Sequence, residues 1–202
     1  VTVFGLSSTA RSGGFAKLFG VQNLGRSQSK VLVVKGEQQP TGSWSRLLGG
    51  GELEEASAIT AASDGSVYLA GFSNSPNIDG LTNSGDKDAL IVKFNSDGTK
   101  AWTRLLGGTG MDWSFGIITG LNGSVYSIGY SKSPSLDGKV NQGRDDAFIT
   151  KYDSNGGRVW TQLIGGALED WGYGISTAPD GSIYATGVTI STSLDGQTGY
   201  GG

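Results

Sequence analysis

Acidic side chains recur in this chain at one fixed interval. Glu54, Asp112 and Asp170 share a register, each 58 residues after the last. Asp79, Asp137 and Asp195 share a second, with Asn83 and Asn141 four residues on, and Asp86, Asp88, Asp145 and Asp146 follow closely. Side-chain oxygens gathered this way suit a hard cation such as calcium, which favours carboxylates and carbonyls. The competing reading is that each Asp-Gly pair closes a turn by bonding its own backbone, and that Asp146-type acids pair with Lys151-type bases. That second reading is preferred here. Trp113 and Trp171 follow two of the acids, where the first copy has Glu55. An aromatic beside a carboxylate on an exposed loop can stack on a sugar ring, but packing at the rim of the core is preferred for both.

Other chemistry is poorly supported. The chain has no histidine and no cysteine, so it lacks the commonest general base and any thiol nucleophile. Two carboxylates can cleave glycosides when held ~5–10 Å apart. A working site is expected to break the repeat at its residues, however, and the copies differ mainly at surface positions. Gly107–Asp112 (GGTGMD) resembles the start of a calcium-binding nonapeptide. Its eighth position is Ser114 where an apolar residue is needed, and the equivalent stretches GGGELE and GGALED lose the glycine pattern.

The elements that position these residues are set by the repeat itself. Trp44, Trp102 and Trp160 are spaced by 58 residues within the phrases WSRLLGG, WTRLLGG and WTQLIGG. Ile59, Ile117 and Ile175 align without a gap, as do Tyr68, Tyr126 and Tyr184, then Gly71, Gly129 and Gly187. A fixed period over most of a chain means one supersecondary unit stacked several times. Glycine makes up 36 of 202 residues, against roughly 7% in average proteins, which implies many tight turns. The net charge of −3 and the absence of a basic stripe argue against nucleic-acid binding. No apolar run approaches the ~18 residues that span a bilayer. The opening VTVFGLSSTARSGG lacks a secretory layout and an initiator methionine, so Val1 is expected to begin a fragment or a processed chain.

Each unit holds four strand-like segments: Ala58–Ala62, Ser66–Ser73, Ala89–Phe94 and Lys100–Leu106. Asp-Gly and Asn-Gly pairs between them mark hairpins. Runs such as VLVV and ALIV, apolar on both faces, suit sheets sandwiched between neighbours. The reading is all-β: a β-propeller of 58-residue, four-stranded antiparallel blades, about three to three and a half in this chain. The expected divisions are a partial blade over 1–43, repeats over 44–101 and 102–159, and an incomplete repeat over 160–202. Val1–Gly5 is read as the second strand of the first, partial blade. Trp44, Trp102 and Trp160 are read as inter-blade packing. Three blades do not close a ring, so further blades are expected from a longer chain or from a homo-oligomer.

The stretch DAFITKYDSNGGRVWTQLIGGALEDWGYGISTAPDGSIYATG, Asp146 to Gly187, resembles the bacterial β-propeller repeat family SBBP. The resemblance covers residues ~31–202 at many fixed offsets. It implies a propeller blade in a large secreted or cell-surface bacterial protein, without an assigned activity. Similarity to related propellers further implies that the Ile59-type strand is innermost and the Trp-bearing strand outermost. The function expected is a non-enzymatic scaffold for protein or glycan partners, which would bind at the acidic loop face. A calcium-dependent or lectin-like propeller is the alternative, and a glycosidase-like enzyme a weaker one.

Overall fold

The computed structural model describes residues 31–36, 43–194 and 196–198. Strands β1 (Val31–Lys35) and β2 (Trp44–Leu48) form an antiparallel pair. A four-stranded sheet follows, with β3 (Glu54–Ala61), β4 (Val67–Ser73), β7 (Asp88–Phe94) and β8 (Lys100–Leu106) lying side by side in that order. Between β4 and β7 sits a small hairpin, β5 (Asn77–Ile78) and β6 (Leu81–Thr82). The next unit repeats the plan. Its sheet is β9 (Asp112–Thr119), β10 (Val125–Ser131), β13 (Asp146–Tyr152) and β14 (Arg158–Ile164), with the hairpin β11 (Ser135–Leu136) and β12 (Lys139–Val140). The last unit holds β15 (Asp170–Thr177), β16 (Ile183–Thr189) and the hairpin β17 (Ser193–Leu194) and β18 (Gln197–Thr198). Val1–Gly5, most of the 1–43 division and Asp195 lie outside the described residues.

Burial follows the both-faced apolar runs. Leu90 and Val92 of β7 turn toward β1–β2, joining Val31, Val33, Leu48 and Phe94 in one cluster. Ile91, between them in sequence, turns the other way and meets Tyr68, Trp102, Ile117 and Tyr152. Successive strand residues point to opposite faces, so one strand feeds two cores, and the sheets stack face to face.

The first strand of each unit starts four residues before the expected Ala58. Its ladder with the second strand skips one residue: Ser57 in the first copy, Phe115 in the second and Tyr173 in the third. Each is a β-bulge, where an extra residue shifts the side-chain phase and re-aims one side chain. The shift explains the repeated glycine opposite. A Cβ on Gly71 or Gly129 would lie 1.8 Å from the carbonyl oxygen of Glu55 or Trp113. The alternation was therefore interrupted where a simple strand pattern would run on.

Two of the three repeated tryptophans reach into the following unit. Trp44 Nε1 donates to the Ser96 carbonyl at 3.0 Å and Trp102 Nε1 to that of Ser154 at 3.2 Å, both 52 residues ahead. Each indole covers a turn glycine, Gly98 or Gly156, with φ near +80°. Trp160, in the last copy, packs on Tyr126 of its own sheet.

Candidate functional site

The first acidic register does not form an exposed rim. Because the first strand of each unit begins early, Glu54, Asp112 and Asp170 are its opening residues, and all three are buried. Donors repeat around them. Glu54 Oε2 accepts from the Gly50 amide at 2.8 Å, while Oε1 accepts from Ser73 and Ser75. Asp112 accepts from Ser131, from Ser133 at 2.7 Å and from the Gly108 amide at 2.8 Å. Asp170 accepts from Ser191 at 2.9 Å and the Gly166 amide at 2.7 Å, but its third partner position holds Thr189 and its Oδ1 has no donor among the described residues. A carboxylate surrounded by hydroxyls and an amide pins the turn that precedes the first strand of each unit to the end of the neighbouring strand. Burial raises the Asp112 carboxyl above its ordinary value despite the opposing hydrogen bonds.

The second register is split. Asp79 and Asp137 sit at φ near +50°, each followed by a glycine at φ above +70°, the two left-handed residues that a tight hairpin demands. Asp79 pairs with Lys100 and accepts from Thr103; Asp137 pairs with Arg158. Burial pulls Asp79 upward, yet Lys100 and Thr103 hold its carboxyl below the ordinary value. Asn83 and Asn141 each clamp a loop, donating to the Ser73 and Ser131 carbonyls and accepting from the Gly85 and Gly143 amides at 2.9 Å.

Asp88 and Asp146 do not pair with lysine as expected. Their Oδ2 atoms accept from the Ser84 and Gln142 amides at 3.0 and 2.8 Å, and their buried Oδ1 atoms accept nothing among the described residues. A Cβ at Gly107 or Gly165 would meet those oxygens at 2.1 Å. Burial pushes the Asp88 carboxyl up to about 6, the Ser84 amide opposes this, and Asp112 adds to it. Lys151 instead stands over the Tyr126 ring at 5.2 Å. Among the described residues no three acidic side chains converge as a metal site.

Trp113 and Trp171 are half-buried members of a continuous aromatic belt. Trp113 donates to Ser57 at 2.8 Å and meets Phe72 edge-on at 4.5 Å. Trp171 donates to Asp145 at 2.8 Å and lies 5.5 Å from Tyr130. The bulge residues Phe115 and Tyr173 join the belt, 5.3 Å apart. Lys87 stands over Phe72 at 4.3 Å, and Lys132 over Tyr130 at 5.7 Å, while also reaching buried Asp145 at 3.2 Å. Sequence reasoning found the two tryptophans but missed Phe115 and Tyr173, because the bulge that aims them is visible only in the strand pairing.

The comparisons agree with this repeat geometry. Residues 159–195 match the family model described as SBBP, beta-propeller repeat. The chain carries an SBBP β-propeller repeat. The chain is also similar to the regulatory protein FlaEY of Caulobacter vibrioides, with 30% identity over 161 residues, covering 74% of this chain and 17% of that protein. The chain thus spans about a sixth of that relative's length.

Proposed function

We propose that this chain is a non-enzymatic propeller module of a secreted or cell-surface bacterial protein, acting as a rigid scaffold that holds a protein partner. One observation carries the reading. The carboxylates best placed to do chemistry are built into the scaffold, each engaged by the same kind of internal donor in successive copies. A catalytic acid needs at least one oxygen turned toward a substrate. The contact surface moves accordingly, from the acidic loop face to the aromatic belt, where Phe115 and Tyr173 adjoin rings that carry the ammonium groups of Lys87, over Phe72 and Trp113, and Lys132, over Tyr130. Aromatic residues are enriched where proteins bind one another, since they bury large area at small entropic cost. The FlaEY relative, named a regulatory protein, suits a module that binds and does not catalyse.

A lectin-like role is the second reading, favoured by the 45% exposure of Tyr173, a ring able to stack on a sugar. A peptide-display screen and a glycan array, run with the intact chain and a Phe115→Ala/Tyr173→Ala variant, test both. Peptide binding lost in the variant, with cooperative unfolding and the β circular-dichroism signal kept, is expected. Binding to glycans alone would select the second reading. Turnover of any polysaccharide abolished by Asp88→Asn would overturn the proposal.

A further inference from the structure

Two junctions between units share a backbone and differ in charge. Where β9 meets the unit before it, the Asp112 amide donates to the Lys87 carbonyl at 2.7 Å and the Asp86 amide to that of Gly110 at 3.3 Å. Where β15 meets its predecessor, the Asp170 amide donates to the Asp145 carbonyl at 2.7 Å and the Arg144 amide to that of Leu168 at 3.3 Å. The side chains do not repeat with the backbone. Asn74, Asp86, Lys87 and Met111 stand where Lys132, Arg144, Asp145 and Glu169 stand one period later.

The later junction neutralises itself. Lys132 reaches Asp145 at 3.2 Å, Arg144 reaches Glu169 at 3.0 Å, and Trp171 donates to Asp145 at 2.8 Å. The earlier one has Asn74 and Met111 in place of the two counter-ions. Lys87 stands over Phe72 at 4.3 Å and over Trp113 at 5.2 Å, and makes no ion pair among the described residues. Asp86 is exposed, and its carboxylate has no partner among those residues either. Burial pushes the Tyr130 phenol up to about 12, with Asp145, Asp112 and Asp86 adding to it, so Asp86 also lies close to the belt. Half-buried Phe115 joins the two sides, 5.2 Å from Trp113 and 5.6 Å from Tyr130. A working site is expected to break the repeat, and here four neighbouring positions change charge or polarity together.

We propose that the earlier junction docks a protein segment that presents a basic side chain to Asp86, a carboxylate to Lys87 and an apolar group to Phe115. The partner supplies from outside the two ion pairs that the later junction makes within itself. Complementary charge of this kind selects a partner and fixes its register. The rings beside Lys87 hold its ammonium in place before binding, which lowers the ordering that binding must impose. The inference rests on the scaffold reading and adds the chemistry of the partner.

The test screens a peptide-display library against the intact 202-residue chain. The selected peptides are expected to carry a base and an acid. Glutamine in place of either, or Asp86→Asn or Lys87→Gln in the chain, is expected to weaken binding about fivefold, the upper range for a solvent-screened ion pair. Asp86→Lys/Lys87→Glu is expected to regain affinity for a peptide with its two charges exchanged, which a misfolded variant could not do. Asn74→Lys/Asp86→Arg/Lys87→Asp/Met111→Glu copies the later junction into the earlier one, and is expected to fold and to bind no peptide. Peptides held equally by all these variants overturn the inference while the scaffold reading stands. A chain that selects no peptide, or glycans alone, overturns the scaffold reading, and the inference falls with it.

Discussion

Strands β10 and β16 occupy the same place in their units and read alike, VYSIGYS against IYATGVT. All seven residues of β10 are buried, whereas β16 is half-buried at its first residue and exposed over the other six. Both bulge-bearing ladders behind them are formed in the same register. The difference is a neighbour: β10 has β13 at its side and the next unit on its face, and β16 has neither among the described residues. Local sequence therefore suffices to make the strand and its hairpin, while burial comes from the following strands. Stability in such an array resides in the interfaces as much as in the units.

The comparison can be broken at its strongest point with two equivalent tryptophans. Trp102→Ala empties a filled interface and is expected to cost about 5 kcal/mol. Trp160→Ala, at a residue 39% exposed against 9% for Trp102, is expected to cost less than half as much; equal losses in urea titrations would show that the neighbouring unit contributes little. Next in size is the internal carboxylate. Asp112→Ala strands two hydroxyls and an amide, for an expected loss of about 4 kcal/mol. Asp170→Ala, with fewer donors to strand and an open edge beside it, should lose markedly less in the same titration.

The third effect is a pH dependence. Asp88 titrates near 6 in the folded chain and near its ordinary value of about 3.9 unfolded, so the folded state holds its proton longer. Its favourable contribution is complete below about pH 4 and is lost as the pH rises through 6, a change of up to about 3 kcal/mol. Asp79, held low by Lys100, acts oppositely and withdraws its support in stronger acid. A Tm maximum near pH 4 is expected, with a fall toward pH 6, and Asp88→Asn should flatten that alkaline side. An unchanged profile in that variant would place the titration elsewhere. The smallest effect is at Gly138, where φ is +72° and a Cβ would meet nothing within 4 Å. Gly138→Ala should cost about 1 kcal/mol through backbone strain alone, a baseline for the larger changes.

Much of this was legible in the chain. The 58-residue phrase located the units, Asp-Gly pairs located turns, and the doubly apolar ALIV run announced a sheet covered on both sides. The burial of Glu54, Asp112 and Asp170 was harder to read because their partners lie 19 and 21 residues downstream. A signal was present, though. Ser73 and Ser75, then Ser131 and Ser133, recur in step with the acids, and the third acid loses a donor where Thr189 replaces the first serine. Pairing of Asp146 with Lys151 failed because an odd separation on one strand puts the two side chains on opposite faces. Alternation could not reveal the bulges, since a skipped residue is defined by its partner strand. Gly71, Gly129 and Gly187 were their only trace.

Those skipped residues have a wider consequence. Serine, phenylalanine and tyrosine occupy the one first-strand position per unit that stands outside the ladder's count, so its identity is released from the pairing that constrains its neighbours. A chain of near-identical units thereby carries one freely variable letter in each, and its surface can be rewritten there while the strand pairing is copied unchanged.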